Sequence, residues 1–216
     1  MELYKKIDIK NFNRAEYFQY FMSVGTTLEF TAKIDITKAL EKCRAENIHL
    51  QSYLLFQLCQ TLNSIENFRY DILNGDLIVW KEIVPTFSSF NKRTKLFFTL
   101  YADMKEDYPA FDMEYKRTTK KYADANTIVP QVTLPKNIFN VSCIPWLHYE
   151  HFSSNSNNEN DKIIKMITLG KYAELNGKFL IPLTIQVSHA IVDGYHISLF
   201  YNKLQEKLNS VKENSL

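Results

Sequence analysis

Apolar and polar positions along the 216 residues alternate between a helical and a strand period, and each change of period marks out an element. The spacing predicts a helix over residues 13–22 and a strand over 30–36, with Thr37 placed to cap a helix over 38–46. A longer, more apolar helix is predicted over 50–64. Two strand-type runs, 70–73 and 76–80, flank Asn74-Gly75, a dipeptide that tolerates the left-handed backbone of a tight hairpin. Asn176-Gly177 repeats that signal between 166–172 and 179–187. The strand run 180–187 then delivers the chain to a turn, followed by a helical pattern with Ile197, Tyr201, Leu204 and Leu208 on one face. Hairpins mixed with helices, without a strict βαβ rhythm, predict an α+β chain or a large mixed sheet. Residues 153–161, nearly all Ser, Asn and acidic, read as a surface loop, and no internal repeat is present.

Composition narrows the function classes. With 45% apolar residues and no Gly, Pro or Ser tract long enough for a linker, one domain is expected over residues 1–216. A formal net charge of +2 is too near neutral for a dedicated nucleic-acid binder. The basic, apolar and small-residue sequence of a secretory signal is missing, and no apolar run approaches the roughly 20 residues that span a bilayer. A soluble, cytoplasmic protein without membrane partners is therefore expected. Cys43, Cys59 and Cys143 are odd in number and lack a close pair, so reduced thiols are expected, not a disulfide framework or a zinc knuckle. Cys59, inside an apolar helical run, is read as core. Asn140-Val141-Ser142 matches a glycosylation acceptor that is idle without secretion.

The candidate chemistry centres on His189, in Ser188-His189-Ala190-Ile191-Val192-Asp193-Gly194-Tyr195. An imidazole at a strand end can face a cleft, where a general base must stand. Competing motifs are weak. With five glycines there is neither a Gly-x-Gly-x-x-Gly after a strand nor a Gly-x-x-x-x-Gly-Lys, so a phosphate-cradling loop has no support. His189 and Asp193 have chelate spacing on a helix, yet His189 ends a strand and no third ligand lies nearby, so no metal is expected. The basic run 116–121, between Tyr115 and Tyr122, is read as a solvated helix face before a phosphate contact.

The sequence around His189 resembles the His-x-x-x-Asp-Gly signature of the CoA-dependent acyltransferases, and neighbouring segments narrow the resemblance to the chloramphenicol acetyltransferase family. Those segments are residues 11–18, 33–37, the hairpin 74–80, Pro135 through Asn140-Val141-Ser142-Cys143-Ile144-Pro145-Trp146, Thr168-Leu169-Gly170-Lys171-Tyr172, and 181–187. The resemblance implies an α/β two-layer sandwich with a large mixed β-sheet, assembled as a homotrimer with active sites between subunits. The implied reaction is acetyl transfer from acetyl-CoA to a hydroxyl of chloramphenicol, an inactivation of the antibiotic. Such chemistry needs a base titrating near neutrality to take the hydroxyl proton, and a donor for the oxygen that gains charge.

By resemblance, His189 is that base, Ser142 the donor, and Thr168 the holder of a water near the tetrahedral intermediate. Asp193 pairs with Arg14 to brace the turn, in place of the charge relay that a His-Asp pair invites. Trp146, Lys171 and Tyr172 are the implied CoA contacts, and Tyr20, Phe21, Phe97, Val129 and Ser154 line the acceptor pocket. Several positions depart from the family pattern. Ser188 replaces a first histidine, residues 90–98 match poorly, Ser154 replaces an apolar residue, and Lys165 stands where a proline is common. These departures leave open another hydroxyl acceptor, or a noncatalytic descendant that only binds a small molecule.

Overall fold

A computed structural model describes residues 3–154 and 163–210. Residues 155–161 of the expected surface loop lie outside that range. A large mixed sheet carries strands in the order β2 (Thr27–Asp35), β10 (Lys178–Ser188), β8 (Lys165–Leu169), β7 (Ile138–Cys143), β5 (Val84–Phe90) and β6 (Phe97–Tyr101). Its β5–β7 and β7–β8 pairs are parallel and the others antiparallel, with β9 (Ala173–Leu175) added beside β10. A small sheet holds β1 (Tyr4–Lys6), β4 (Asp76–Trp80) and β3 (Tyr70–Leu73). The hairpin β3–β4 forms where Asn74-Gly75 predicts it, with both residues at positive φ, 54° and 82°.

Four helices pack together as the second layer: α2 (Thr37–Ala45), α3 (Leu50–Asn63), α4 (Tyr108–Lys121) and α5 (Gly194–Asn209). The all-round apolar character of residues 50–63 has its explanation here, since α3 lies between its helical neighbours and the sheet. Helix α1 (Ala15–Val24) buries no residue and leaves Tyr17 and Tyr20 exposed. One expectation fails in detail: Thr37 is the first residue of α2 and Ile36 its N-cap, without a side-chain cap bond, while the Asp35 carboxylate one position earlier accepts from Thr37 N at 3.0 Å and Thr37 Oγ1 at 2.6 Å. The basic run on α4 is held in part by local ion pairs, Lys116 with Asp112 and Arg117 with Glu114, as a solvated face would be.

Strand β10 organises the molecule. Ile181, Leu183, Ile185 and Val187 point into the apolar core, while Thr184, Gln186 and Ser188 alternate onto the opposite face and are also covered. Pro182 falls in the gap where pairing passes from β8 to β9, a place where a missing N–H interrupts no ladder on that side. There the backbone turns at Gly170, whose N–H donates to Pro182 O at 2.9 Å. A Cβ at Gly170 would lie 2.6 Å from Pro182 Cγ and 2.7 Å from Tyr149 Cε1, so only glycine fits without displacement.

Candidate active site

His189 follows directly on the last residue of β10, and backbone bonds fix it there: its N–H donates to Thr26 O at 2.9 Å, and Ile191 N donates to Ser188 O at 3.3 Å. The ring nitrogen Nδ1 lies 2.8 Å from Val192 O. A carbonyl oxygen only accepts, so in the neutral ring Nδ1 carries the hydrogen and Nε2 keeps its lone pair. The imidazole stacks on Phe21, with ring centroids 3.7 Å apart and planes at 22°. Phe21 in turn meets Tyr20 edge to face at 5.1 Å.

Asp193 does not reach the imidazole ring. One carboxylate oxygen, Oδ2, accepts from Arg14 Nη1 at 2.9 Å, while Oδ1 accepts from Tyr195 N at 3.0 Å and lies 2.9 Å from His196 Nδ1. The residue is thus both the N-cap of α5 and an ion-pair partner of the chain's N-terminal region. Burial pushes its carboxyl upward, but the Arg14 hydrogen bond and the nearby positive charges outweigh burial and hold it below the ordinary aspartate value. Arg14 commits only Nη1; its Nε and Nη2 are shielded without a hydrogen-bond partner among the described residues.

Ser142 and Thr168 form a second centre. They are register partners on β7 and β8, Thr168 pairs with Thr184 on β10, and Thr184 pairs with Thr31 on β2. Four hydroxyl residues therefore stand in one row on the face away from the helices. Thr31 and Thr184 share a hydrogen bond of 2.7 Å, Thr184 lies 3.3 Å from Tyr149 Oη, and Tyr149 Oη donates to Thr168 O at 2.6 Å. Beside Ser142, burial pushes the Cys143 thiol up to about 11, so at neutral pH it is a thiol and not a nucleophilic thiolate.

The two centres do not meet within one chain. Thr184, in the hydroxyl row, precedes His189 by five residues on the same strand, about 17 Å at strand rise, and Ser142 lies two strands further across, about 10 Å. Each centre nevertheless has exposed apolar side chains beside it. Tyr20 flanks His189 through Phe21, and on the Ser142 side Phe90, the register partner of the exposed Phe97, meets the exposed Trp146 at 4.9 Å. Val129 follows Ile128, whose carbonyl accepts from Thr99 N on β6. Ser154 sits elsewhere, on the sheet face, accepting from Gln186 Nε2 at 2.7 Å through its carbonyl.

The three implied CoA contacts are brought close but not equivalently. Trp146 and Lys171 lie on loops joined by the bond from Lys171 N to Leu147 O at 2.8 Å, whereas Tyr172 meets Phe179 in a T-shaped contact with ring centroids 5.9 Å apart. The sequence reading missed His148, whose Nδ1 lies 2.9 Å from Lys171 O, and missed Thr31, Tyr149 and Thr184 altogether. The β-register brings Thr184 and Thr31 into the row of Thr168, and Tyr149 reaches it from a loop through its hydroxyl; no local signal announces either.

Among the described residues no cluster of three potential metal ligands occurs, and no helix is long and apolar enough to cross a membrane. The profile of the family described as chloramphenicol acetyltransferase matches residues 2–205. A chloramphenicol acetyltransferase of Clostridium perfringens is 37% identical over 210 residues, 96% of this chain and 100% of that one. Another, of Clostridioides difficile, is 36% identical over 206 residues, covering 94% of this chain and 95% of its own length. A solved chloramphenicol acetyltransferase structure superposes with a TM-score of 0.87 at 21% identity, over 95% of this chain and 99% of that one, and so shares the fold. The chain belongs to the chloramphenicol acetyltransferase family.

Proposed function

We propose that the protein transfers the acetyl group of acetyl-CoA to a hydroxyl of chloramphenicol, inactivating the antibiotic, and does so as a cytoplasmic homotrimer whose active sites lie between subunits. The observation that carries this reading is the hydrogen bond from His189 Nδ1 to Val192 O, which leaves Nε2 bare at a strand end in a chain of this family. Nε2 accepts the proton of the acceptor hydroxyl while its oxygen attacks the thioester carbonyl. Charge gathers on the carbonyl oxygen, and the Ser142 hydroxyl of a neighbouring subunit donates to it, with Thr168 holding a water alongside. Collapse of the tetrahedral species breaks the C–S bond, and the departing thiolate takes the proton from the imidazolium.

Homotrimeric assembly supplies what one chain lacks, because His189 and Ser142 stand at different ends of the same strand system. It would set Tyr20 and Phe21 of one subunit against Phe97 and Val129 of the next, surfaces suited to an aromatic ring, with the polar Ser154 at the edge. Trp146 and Tyr172 offer stacking area to CoA, and Lys171 a charge for its phosphates. An acetyl-CoA thiol-release assay with chloramphenicol and purified protein tests the reading. Turnover that disappears in His189→Ala supports it; wild-type protein that releases no thiol with chloramphenicol refutes it.

A further inference from the structure

The peptide unit adjoining the one that presents Val192 O to His189 is gripped from a direction unrelated to Arg14. Asn67 Nδ2 donates to Ile191 O at 2.9 Å, across 124 positions of sequence. Ile191 O belongs to the peptide unit immediately before Val192, so this bond limits how the Val192 carbonyl can swing. Asn67 lies in the short 3-10 helix Glu66–Arg69, which runs straight into β3. That segment is anchored in turn by Asp71. Its Oδ2 accepts from Lys165 Nζ at 2.6 Å and from Trp80 Nε1 at 3.0 Å, and its Oδ1 accepts from Ile72 N at 2.9 Å.

Lys165 is the other jaw. Its side chain is 4% exposed, its Nζ also reaches Tyr70 O at 3.3 Å, and its backbone is the register partner of Val187, two residues before His189. Just before it, Ile164 exchanges two bonds with Ser188, giving its O to Ser188 N at 3.1 Å and its N to Ser188 Oγ at 2.8 Å. A buried ion pair contributes little net stability compared with well-packed apolar side chains, and its best-attested use is to fix a geometry. Here the geometry it fixes is the seating of β3 and the 3-10 helix against the β8–β10 pair, on both sides of the histidine turn.

We propose that Asn67 and the Lys165–Asp71 pair are positioning residues for His189: together they hold the 191–192 peptide so that Val192 O keeps the imidazole in its Nδ1–H tautomer. The proposal rests on His189 being the base, and it assigns these three residues no contact with substrate. Uncoupling the brace therefore lowers kcat and leaves KM for acetyl-CoA and for the acceptor nearly unchanged, because only the correctly oriented fraction of rings reacts.

The test combines three variants with two readouts. In Asn67→Asp, which keeps the shape and removes the donor, kcat falls by about tenfold, the equivalent of one hydrogen bond. The apolar double variant Lys165→Met/Asp71→Leu melts within a few degrees of wild type, since the pair it replaces was buried, yet shows a similar loss of kcat. Lys165→Arg, which keeps the charge on Asp71, recovers most of it. Ring-nitrogen NMR of 15N-histidine protein gives a readout free of turnover: one tautomer at His189 in wild type, a mixture in the first two variants. A single unchanged tautomer in those variants, or unchanged kcat, overturns the proposal. Wild-type protein inactive in the thiol-release assay would instead refute the enzymatic reading, and the NMR comparison would still decide the brace.

Discussion

Phe21 lies flat against the ring of His189, 3.7 Å between centroids, on a helix none of whose residues is fully buried. The contact covers one face of the imidazole, while Nδ1 on its edge is held by Val192 O. A stacked aromatic pair contributes about 0.5–1.5 kcal/mol, which is the restraint the ring loses if the partner is truncated. Phe21→Ala is expected to lower kcat/KM by roughly three- to tenfold, with Phe21→Tyr close to wild type. Steady-state thiol-release kinetics check this, and equal rates for the alanine variant would remove the stack from the account.

Asp193 does two jobs and Arg14 one, so their losses should differ. Arg14→Ala leaves a partly shielded carboxylate without its cation, and because Asp193 keeps about a third of its side chain in contact with solvent, the cost should fall below the roughly 3–5 kcal/mol of a fully buried broken pair. Asp193→Ala removes in addition the cap of α5, about 1 kcal/mol more. Thermal denaturation should therefore rank wild type above Arg14→Ala above Asp193→Ala, with activity lost in both variants. Turnover and melting equal to wild type in either would contradict the bracing role.

The same carboxylate sets a pH dependence. Its folded pKa is held below the ordinary aspartate value of about 3.9, so its stabilising contribution is complete above that value and disappears as pH falls through the folded pKa. Melting temperatures taken from pH 6 down to pH 2.5 should decline more steeply in wild type than in Arg14→Met, whose aspartate has lost its main stabilising partner. Parallel curves would show that the pair carries no linkage.

Gly170→Ala places a methyl group against Pro182 and Tyr149 with no room to spare. The side chain able to move is Tyr149, whose hydroxyl donates to Thr168 O. Overpacking of this kind costs about 1–3 kcal/mol, so urea denaturation should show a clear loss of stability, and kcat should fall with it as Thr168 shifts. An alanine variant as stable as wild type would mean that the Gly170 turn relaxes freely.

What the sequence alone disclosed follows from range. The Asn74-Gly75 hairpin and the strand that ends at His189 are written in neighbouring residues, through left-handed tolerance and through period two, and both were legible. The N-cap of α2 falls at Ile36, one position before the expected Thr37, because Thr37 already carries helical backbone, and only the fold turns the Asp35 carboxylate toward the helix start. Nothing local ties Asn67 to Ile191, Lys165 to Asp71, or Thr31 to Thr184; those contacts exist only once strand register is set. For the same reason the sequence marks both Ser142 and His189 and is silent on the distance between them.

That distance defines the central claim, that the histidine of one subunit works with the serine of another. Co-expressing His189→Ala and Ser142→Ala chains under two affinity tags, and purifying only assemblies that carry both, tests it directly. Each single variant should be nearly inactive, by about 10²–10⁴-fold for the base and 10²–10³-fold for the donor. In every mixed trimer one of the three interfaces joins the intact histidine of one chain to the intact serine of the other, so thiol release should return to about a third of wild type. Mixed assemblies as inactive as their parents would contradict the account.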